Sequence, residues 1–429
     1  MKSLQDIADA LQGYDPQAMP VDQVLTFLQE MVEPIVETEV LDLVGARDRI
    51  LAGELISPLD VPPHDNSAMD GYAFDGAALK PGQDLRLRVA GTAWAGKAWQ
   101  GPAGPGQCVR IMTGAIMPAG LDTVLPQELA DLSADGMTVT VPASRIHAGD
   151  NRRLRGEDLR RDEQALADGV RLNPARLGLS ASLGIERLRV YRRPVVACFS
   201  TGDEILPAGH DPREGAVYDS NRYTLIGLLE RLGCQVLDLG LVPDDPDRLR
   251  GAFERAAAEA DAVISSGGVS VGQADHTKAM IGQLGEVMLW RVAMRPGRPL
   301  AVGRIRHPAR DRAALVFGLP GNPVAVMVTF LAFVRPALLR LMGCSDPSPP
   351  LLQARSLEAI RKRAGRTEYQ RGWVNLNDQG QLQVRTTGNQ GSGVLSSMAQ
   401  ANGLIVLDHE QESVQAGEMV SVMMFEGVL

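Results

Sequence analysis

Residues 194–204, PVVACFSTGDE, begin with an uncharged, mostly apolar run and open into a loop of glycine, hydroxyl and acid. A short apolar run closed by a glycine-bearing turn predicts a strand covered on both faces, as in a parallel sheet. Working outward, residues 221–232 (NRYTLIGLLERL) predict an amphipathic helix and CQVLDLG at 234–240 a second strand. A second helix is expected over 245–260, a third strand at 261–266 (DAVISS) and a later one at 314–319 (ALVFGL). Strands alternating with helices make βαβ units and a buried parallel sheet. The expected class is multi-domain α/β plus β, with a doubly wound α/β domain at its centre.

In such a sheet the ligand sits beyond the carboxyl ends of the strands. Four loops fall there: Ser200-Thr201-Gly202-Asp203-Glu204, Tyr218-Asp219-Ser220-Asn221-Arg222, the run from Ser265 through Ser266, Gly267, Gly268 and Ser270 to Gly272, and Gly318-Leu319-Pro320-Gly321-Asn322-Pro323. Each alone is ordinary turn-and-cap chemistry. Four on one edge are a candidate anion site, because glycine lets backbone N–H groups approach an anion and hydroxyls add donors. Neither a Gly-x4-Gly-Lys-Ser/Thr loop nor a GxGxxG fingerprint is present. Asp275 and Lys278 follow the glycine loop, and Arg291, Arg295 and Arg298 form a cationic cluster. Arginine's planar fork suits phosphate oxygens. Glu204, Asp244 and Asp275 beside a phosphate suggest Mg²⁺, which shares oxygen ligands between protein and substrate.

The flanks differ in texture. Residues 21–33 predict a helix with Val24, Leu25, Leu28, Met31 and Val32 on one face, and residues 36–44 a half-buried strand. From about 52 to 150, short apolar runs between Gly/Pro clusters predict an all-β module. A helix is expected over 174–188, and strands at 372–376, 382–386, 403–408 and 418–424 predict a terminal β-barrel or sandwich.

The 429 residues are 45% hydrophobic and 22% charged, the mix of a soluble globular protein of several domains. A net charge of -9 argues against nucleic acid as the main partner. Cys108, Cys198, Cys234 and Cys344 lie far apart, which predicts buried free thiols and no zinc site. The N-terminus has no apolar signal core, and no stretch is expected to span a membrane. The expected compartment is the cytoplasm.

Three further runs lie outside the α/β region: DNSAMDGYA from Asp65, RIMTGA with Thr113, and RRLRGED ending on Asp158. Together with STGDE, ISSGGVSVGQAD, PGRP, GLPGNPV, the QRG of residues 370–372 and the NQGSG of residues 389–393, they stand in the order and spacing of molybdopterin molybdenumtransferases. This is the family of bacterial MoeA proteins and of the corresponding domain of gephyrin-type fusions, and the resemblance covers roughly residues 20–425. It implies an elongated homodimer with four parts: a split domain of residues 1–50 and 151–188, an inserted β-rich domain of 51–150, an α/β domain of 189–343 similar to the molybdopterin-adenylating domain, and a C-terminal β-barrel of 344–429. The implied reaction inserts molybdate into the dithiolene of adenylylated molybdopterin, with Mg²⁺-dependent cleavage of the pyrophosphate and release of AMP. By the same resemblance Asp65, Thr113, Asp158, Glu204, Asp244 and Asp275 match functional acids and a threonine. Pro320 and Pro323 would shape the mouth, and Arg371 and Ser392 would serve the oxyanion or substrate. Asp65 and Thr113 would reach the site across the dimer interface, and other enzymes of the pathway are candidate partners. The family often has lysine where this chain has Arg291, Arg295 and Arg298. Two other readings stay open: an adenylyltransferase acting on molybdopterin, against which the extra β modules argue, and a scaffold without turnover, against which the retained acids argue.

Overall fold

The protein is described here by a computed structural model covering residues 2–268 and 281–426. At its centre, six strands, β1 (Val195–Thr201), β2 (Gln235–Val242), β3 (Ala262–Ser266), β4 (Gly285–Arg291), β5 (Pro299–Ile305) and β6 (Ala314–Leu319), form one sheet in the order β2-β1-β3-β6-β5-β4. β2, β1, β3 and β6 are parallel, whereas β5 and β4 add an antiparallel hairpin. The sheet is therefore mixed, not wholly parallel as expected. The segment GEVMLWR of β4 carries an acid and is only half-buried, so its sequence lacks the apolar run of a covered strand.

The two-residue period of β1 explains why helices cover both faces. Val196 and Cys198 join a core with Leu225 and Leu229 of α1 (Asn221–Leu232). Ala197 and Phe199 point the other way, to Leu249 and Phe253 of α2 (Pro246–Glu259). Phe199 and Phe253 meet edge to face at 5.4 Å, an arrangement that adds ~1 kcal/mol to the area buried. α2 starts where it does because Pro246 suits the first turn and the Asp245 side chain accepts from the Asp247 and Arg248 N–H groups.

The third helix, α3 (Pro323–Leu341), corrects an expectation. It is 19 residues long with hydropathy 1.9, enough to cross a membrane by length and composition, yet 83% of its apolar window is buried inside the protein. Val324, Val328, Phe330 and Leu338 fill the same core as α1. The turn Phe330–Val334 widens into a π-helical one just before Pro336, which has no N–H to give to the preceding turn.

Around this domain the chain makes three further bodies of structure. The helix Val21–Met31 buries Val24, Phe27, Leu28 and Met31 against the α3 core, with the expected Leu25 packed on its margin and Phe27 added to the face. Strand Thr38–Asp42 pairs antiparallel with Arg187–Tyr191, so the chain leaves this region and returns to it across an insertion. Val36, Val40 and Val44 are exposed rather than half-buried, because nothing among the described residues covers that face. The helix from Pro174 ends at Ser182, short of residue 188, since Arg187–Tyr191 is needed as a strand. The insertion holds a six-stranded sheet. In the C-terminal region Thr367–Leu376, Leu382–Thr386, Leu352–Ser356, Met419–Met424 and Gly403–Leu407 pair in turn, and Thr367–Leu376 pairs again with Gly403–Leu407 to close the barrel. Of the cysteines, all four are free, three are buried and Cys344 is half-buried.

At the amino edge of the sheet Asp261, its side chain fully buried, accepts from Arg192 (2.7 and 2.9 Å), Arg310 (2.8 Å) and the Val195 N–H (2.8 Å). Burial pushes its carboxyl up, but the Arg192 hydrogen bonds, the Val195 N–H and the arginine charges outweigh that and hold it below the usual range. A depressed folded pKa contributes stability that is complete above the unfolded value of about 4 and is lost as pH falls through the folded value. Asp261→Ala, which leaves two arginines without their carboxylate, is expected to cost about 3 kcal/mol in urea unfolding at pH 7. The gap to wild type should narrow below pH 4.

Candidate functional site

Parallel pairing places Ser200 of β1 opposite Ser266 of β3, and Ser266 opposite Leu319 of β6. The three strands therefore end together, and their loops share two adjoining hollows. The first, about 700 Å³, is lined by Thr201, Gly202, Glu204, Gly267, Gly268, Pro320, Gly321 and Asn322 from the sheet edge, by Arg291, Arg295 and Arg298, and by Gln390, Gly391 and Ser392 of the C-terminal region. The second, about 710 Å³, shares Thr201, Glu204, Gly267, Gly321 and Asn322, and adds Ser200, Asp219, Ser220, Asn221, Ser266 and Pro323. A third of about 260 Å³ opens beside Arg295 and Gln390, with Arg371, Glu358 and Glu368 in its wall.

The C-terminal barrel reaches this edge because Met294–Arg295 pairs in parallel with Thr367–Glu368, and the Val324 N–H donates to the Ser392 carbonyl. Three arginines and one acid, Glu204, line the first hollow among the described residues. Its wall is net positive although the chain is acidic.

Several expected ligand-binding side chains are instead occupied with each other. Asp219, 4% exposed, accepts from the Ser200 hydroxyl (2.9 Å) and from Arg222 through N–H (3.1 Å) and Nε (3.0 Å). Asn221 donates to Ser266 Oγ (2.8 Å) and to the Gly321 carbonyl (2.7 Å), tying the β3 and β6 loops together. Its Oδ1 and the Thr201 Oγ1 are buried without a hydrogen-bond partner. Such atoms cost about 1–3 kcal/mol each until something satisfies them. Asp203 is exposed and lines none of the hollows; its carbonyl accepts from Arg213.

Arg371 does not face the first hollow. At 1% exposure it donates to Ser397 Oγ (3.0 Å) and to the Asn389 and Gly391 carbonyls (3.1 and 3.0 Å). It braces the loop that carries Ser392. Burial, and then the like charge of Arg295, push its pKa down to about 10, so it stays a cation at neutral pH.

Asp244 follows β2 and lines none of these hollows. Ser270, Gly272 and Asp275, with Lys278, lie outside the described residues. Asp65, Thr113 and Asp158 belong to the insertion and its return and line none of the hollows. Asp65 accepts from the Arg155 N–H (2.8 Å) and lies 3.6 Å from Arg152. Thr113 bonds to Asp70 (2.7 Å), and the Asp158 N–H donates to the Val61 carbonyl (3.1 Å). Asn322 and Gln390 were not singled out, although both stand in the motifs GLPGNPV and NQGSG; an amide able both to donate and to accept beside loop glycines was the available signal.

Comparison with known proteins gives one consistent picture. Residues 19–184 match the MoeA N-terminal region (domain I and II), residues 197–340 a probable molybdopterin binding domain, and residues 353–425 the MoeA C-terminal region (domain IV). A molybdopterin molybdenumtransferase of Haemophilus influenzae is 41% identical over 413 residues, covering 96% of this chain and 100% of that one. Another from Nostoc sp. is 37% identical, covering 90% and 88%. Two crystal structures of a molybdopterin biosynthesis MoeA protein from Pyrococcus horikoshii align with TM-scores of 0.79 and 0.72 at 25% and 29% identity, each over 95% of this chain and 100% and 99% of theirs.

Gly267 shows how tightly the edge is built. Its φ is +90°, and a Cβ there would lie 2.4 Å from the Thr201 carbonyl oxygen. Gly321, on the same hollows, has open space at that position. Gly267→Ala is expected to lower stability by about 1–3 kcal/mol, whereas Gly321→Ala should leave the melting temperature nearly unchanged; parallel thermal unfolding of the two variants checks this.

Proposed function

The chain belongs to the MoeA family of molybdopterin molybdenumtransferases, and we propose that it inserts molybdate into the dithiolene of adenylylated molybdopterin, cleaving the pyrophosphate and releasing AMP. The observation that carries the reading is the first hollow: three arginines and a rim of glycine backbone, with Glu204 the one acid among its described lining residues. Molybdate and pyrophosphate are both compact polyanions. Arg291, Arg295 and Arg298 would neutralise their oxygens, and the close approach that Gly267 and Gly268 allow at the rim would leave room for them. The adjoining second hollow gives the rest of the nucleotide-bearing ligand room on the same wall. Ser392 and Thr201 would hold oxyanion oxygens, and the Arg371 brace would keep the Ser392 loop in place.

No group of three or more His, Cys, Asp or Glu side chains stands together among the described residues. That fits Mg²⁺, which takes one or two carboxylates and fills its octahedron with phosphate oxygens and water. Glu204, which lines both hollows, would hold the ion, which bound there would offset charge on the pyrophosphate oxygens, and Asp244 and Asp275 are the further acids that the family resemblance proposes.

Because Asp65, Thr113 and Asp158 line none of these hollows, their participation requires a second copy, and we read the working unit as a homodimer with the site shared between insertion and α/β domain. The four free cysteines suit a reducing compartment, the cytoplasm.

With adenylylated molybdopterin and Mg²⁺, AMP release should rise on adding molybdate; release indifferent to molybdate would end the transferase reading. Arg295→Ala should lower kcat/KM on the order of 100-fold. Mixing inactive Asp65→Asn and Glu204→Gln chains, with subunit exchange, should restore about a quarter of wild-type turnover, since half the dimers then carry one intact site. Absence of any recovery would argue against a shared site.

A further inference from the structure

The insertion carries a polar cluster in which one hydroxyl has its proton already taken. Thr113 is exposed in the loop after strand Gln107–Ile111, and Asp70, just before strand Gly71–Phe74, reaches it. A single oxygen, Asp70 Oδ1, accepts from both the Thr113 backbone N–H and the Thr113 hydroxyl, each at 2.7 Å. A hydroxyl has one proton and two lone pairs, and an ionised carboxylate has no proton to give. The Thr113 proton is therefore committed to Asp70, and only lone pairs face outward. Asp65 stands beside this loop, its carbonyl accepting from the Met117 N–H and Ser67 exchanging bonds with Gly114 and Ala115, while its side chain accepts from the Arg155 N–H and lies 3.6 Å from Arg152. The two Thr113 donors hold the Asp70 carboxyl below the usual range, so the arrangement persists across neutral pH.

We infer that Asp70 is a positioning residue that locks the Thr113 hydroxyl as a pure hydrogen-bond acceptor, and that the ligand group met there is an N–H donor of the pterin ring, not a phosphate or molybdate oxygen. This rests on the proposed place of Thr113 in the site. An oxyanion offers no proton and would meet lone pair against lone pair at Thr113. The amino and lactam N–H groups of a pterin are donors of the required kind.

The test is steady-state kinetics with both substrates varied. Thr113→Ala and Asp70→Ala should each raise the KM for adenylylated molybdopterin about tenfold, the loss of one good hydrogen bond, with the KM for molybdate unmoved. The double variant should be no worse than either single one, Thr113→Ser should recover Thr113→Ala, and Asp70→Asn, which keeps an acceptor oxygen for Thr113, should recover most of Asp70→Ala. Melting temperatures exclude a folding defect, and Asp70→Asn serves should Asp70→Ala not fold. A raised molybdate KM would overturn the donor assignment. A folded Asp70→Ala with wild-type kinetics beside an impaired Thr113→Ala, or an Asp70→Asn as impaired as Asp70→Ala, would overturn the positioning role. Wild-type behaviour of Thr113→Ala would instead remove Thr113 from the site, and with it the reading on which the inference rests.

Discussion

Parallel pairing of β1 with β3 and of β3 with β6 is the constraint on which the rest depends. Antiparallel neighbours would send alternate loops to opposite edges; parallel ones must all end together. Thr201 to Glu204, Gly267 with Gly268, and Pro320 to Asn322 therefore meet whether or not their side chains attract one another. The register is held by burial on both faces. Sliding β1 by one residue would exchange Phe199, packed on Phe253, with Cys198, packed toward α1, and neither core accommodates the swap. Strand packing positions the site, and the loops supply its chemistry.

Charge is distributed against the overall balance. A chain of net charge -9 directs three arginines into one hollow and places a fourth, Arg371, behind it with only neutral oxygens as acceptors. Burying a cation with no carboxylate in contact is expensive unless its donors are satisfied. Here Ser397 and two carbonyls satisfy them without cancelling the charge. The uncompensated field adds to that of Arg295 in a partly dry setting, where a dianion feels it more strongly than in water. A carboxylate partner would stabilise Arg371 further but would remove that field.

Most of the elements around the sheet edge were legible because each is specified locally. Helix Asn221–Leu232, strand Ala314–Leu319 and strand Leu382–Thr386 have the ends that their patterns predict. What escaped was set at long range. β4 and β5 become a hairpin extending the sheet because β6 offers β5 an edge, a fact absent from GEVMLWR itself. α3 is long and apolar enough to cross a membrane, which was not expected from the sequence, and the packing of α1 and the helix Val21–Met31 on it makes it a core helix. Arg371 in QRG looks like a ligand contact, and only the pairing of Met294–Arg295 with Thr367–Glu368 shows it supporting the wall from behind. Val40 looks half-buried by alternation, but alternation says that a face is apolar, not that anything covers it.

The two groups of candidate residues differ in kind, and that difference bears on the proposed division of the site between them. The sheet edge offers three arginines, a donor surface suited to phosphate and molybdate oxygens. The cluster of Asp65, Asp70 and Thr113 offers carboxylates and a hydroxyl whose proton is already taken. Side by side on one rigid wall, these acids would neutralise the arginines and lower the affinity of both for their ligands. Held on separate domains, as in the proposed homodimer, the two surfaces would stay apart until a ligand with an anionic end and a donor-rich end lies between them. Such a ligand would be matched by a site assembled from both surfaces, and a free oxyanion, which has no donor end, would engage only the first.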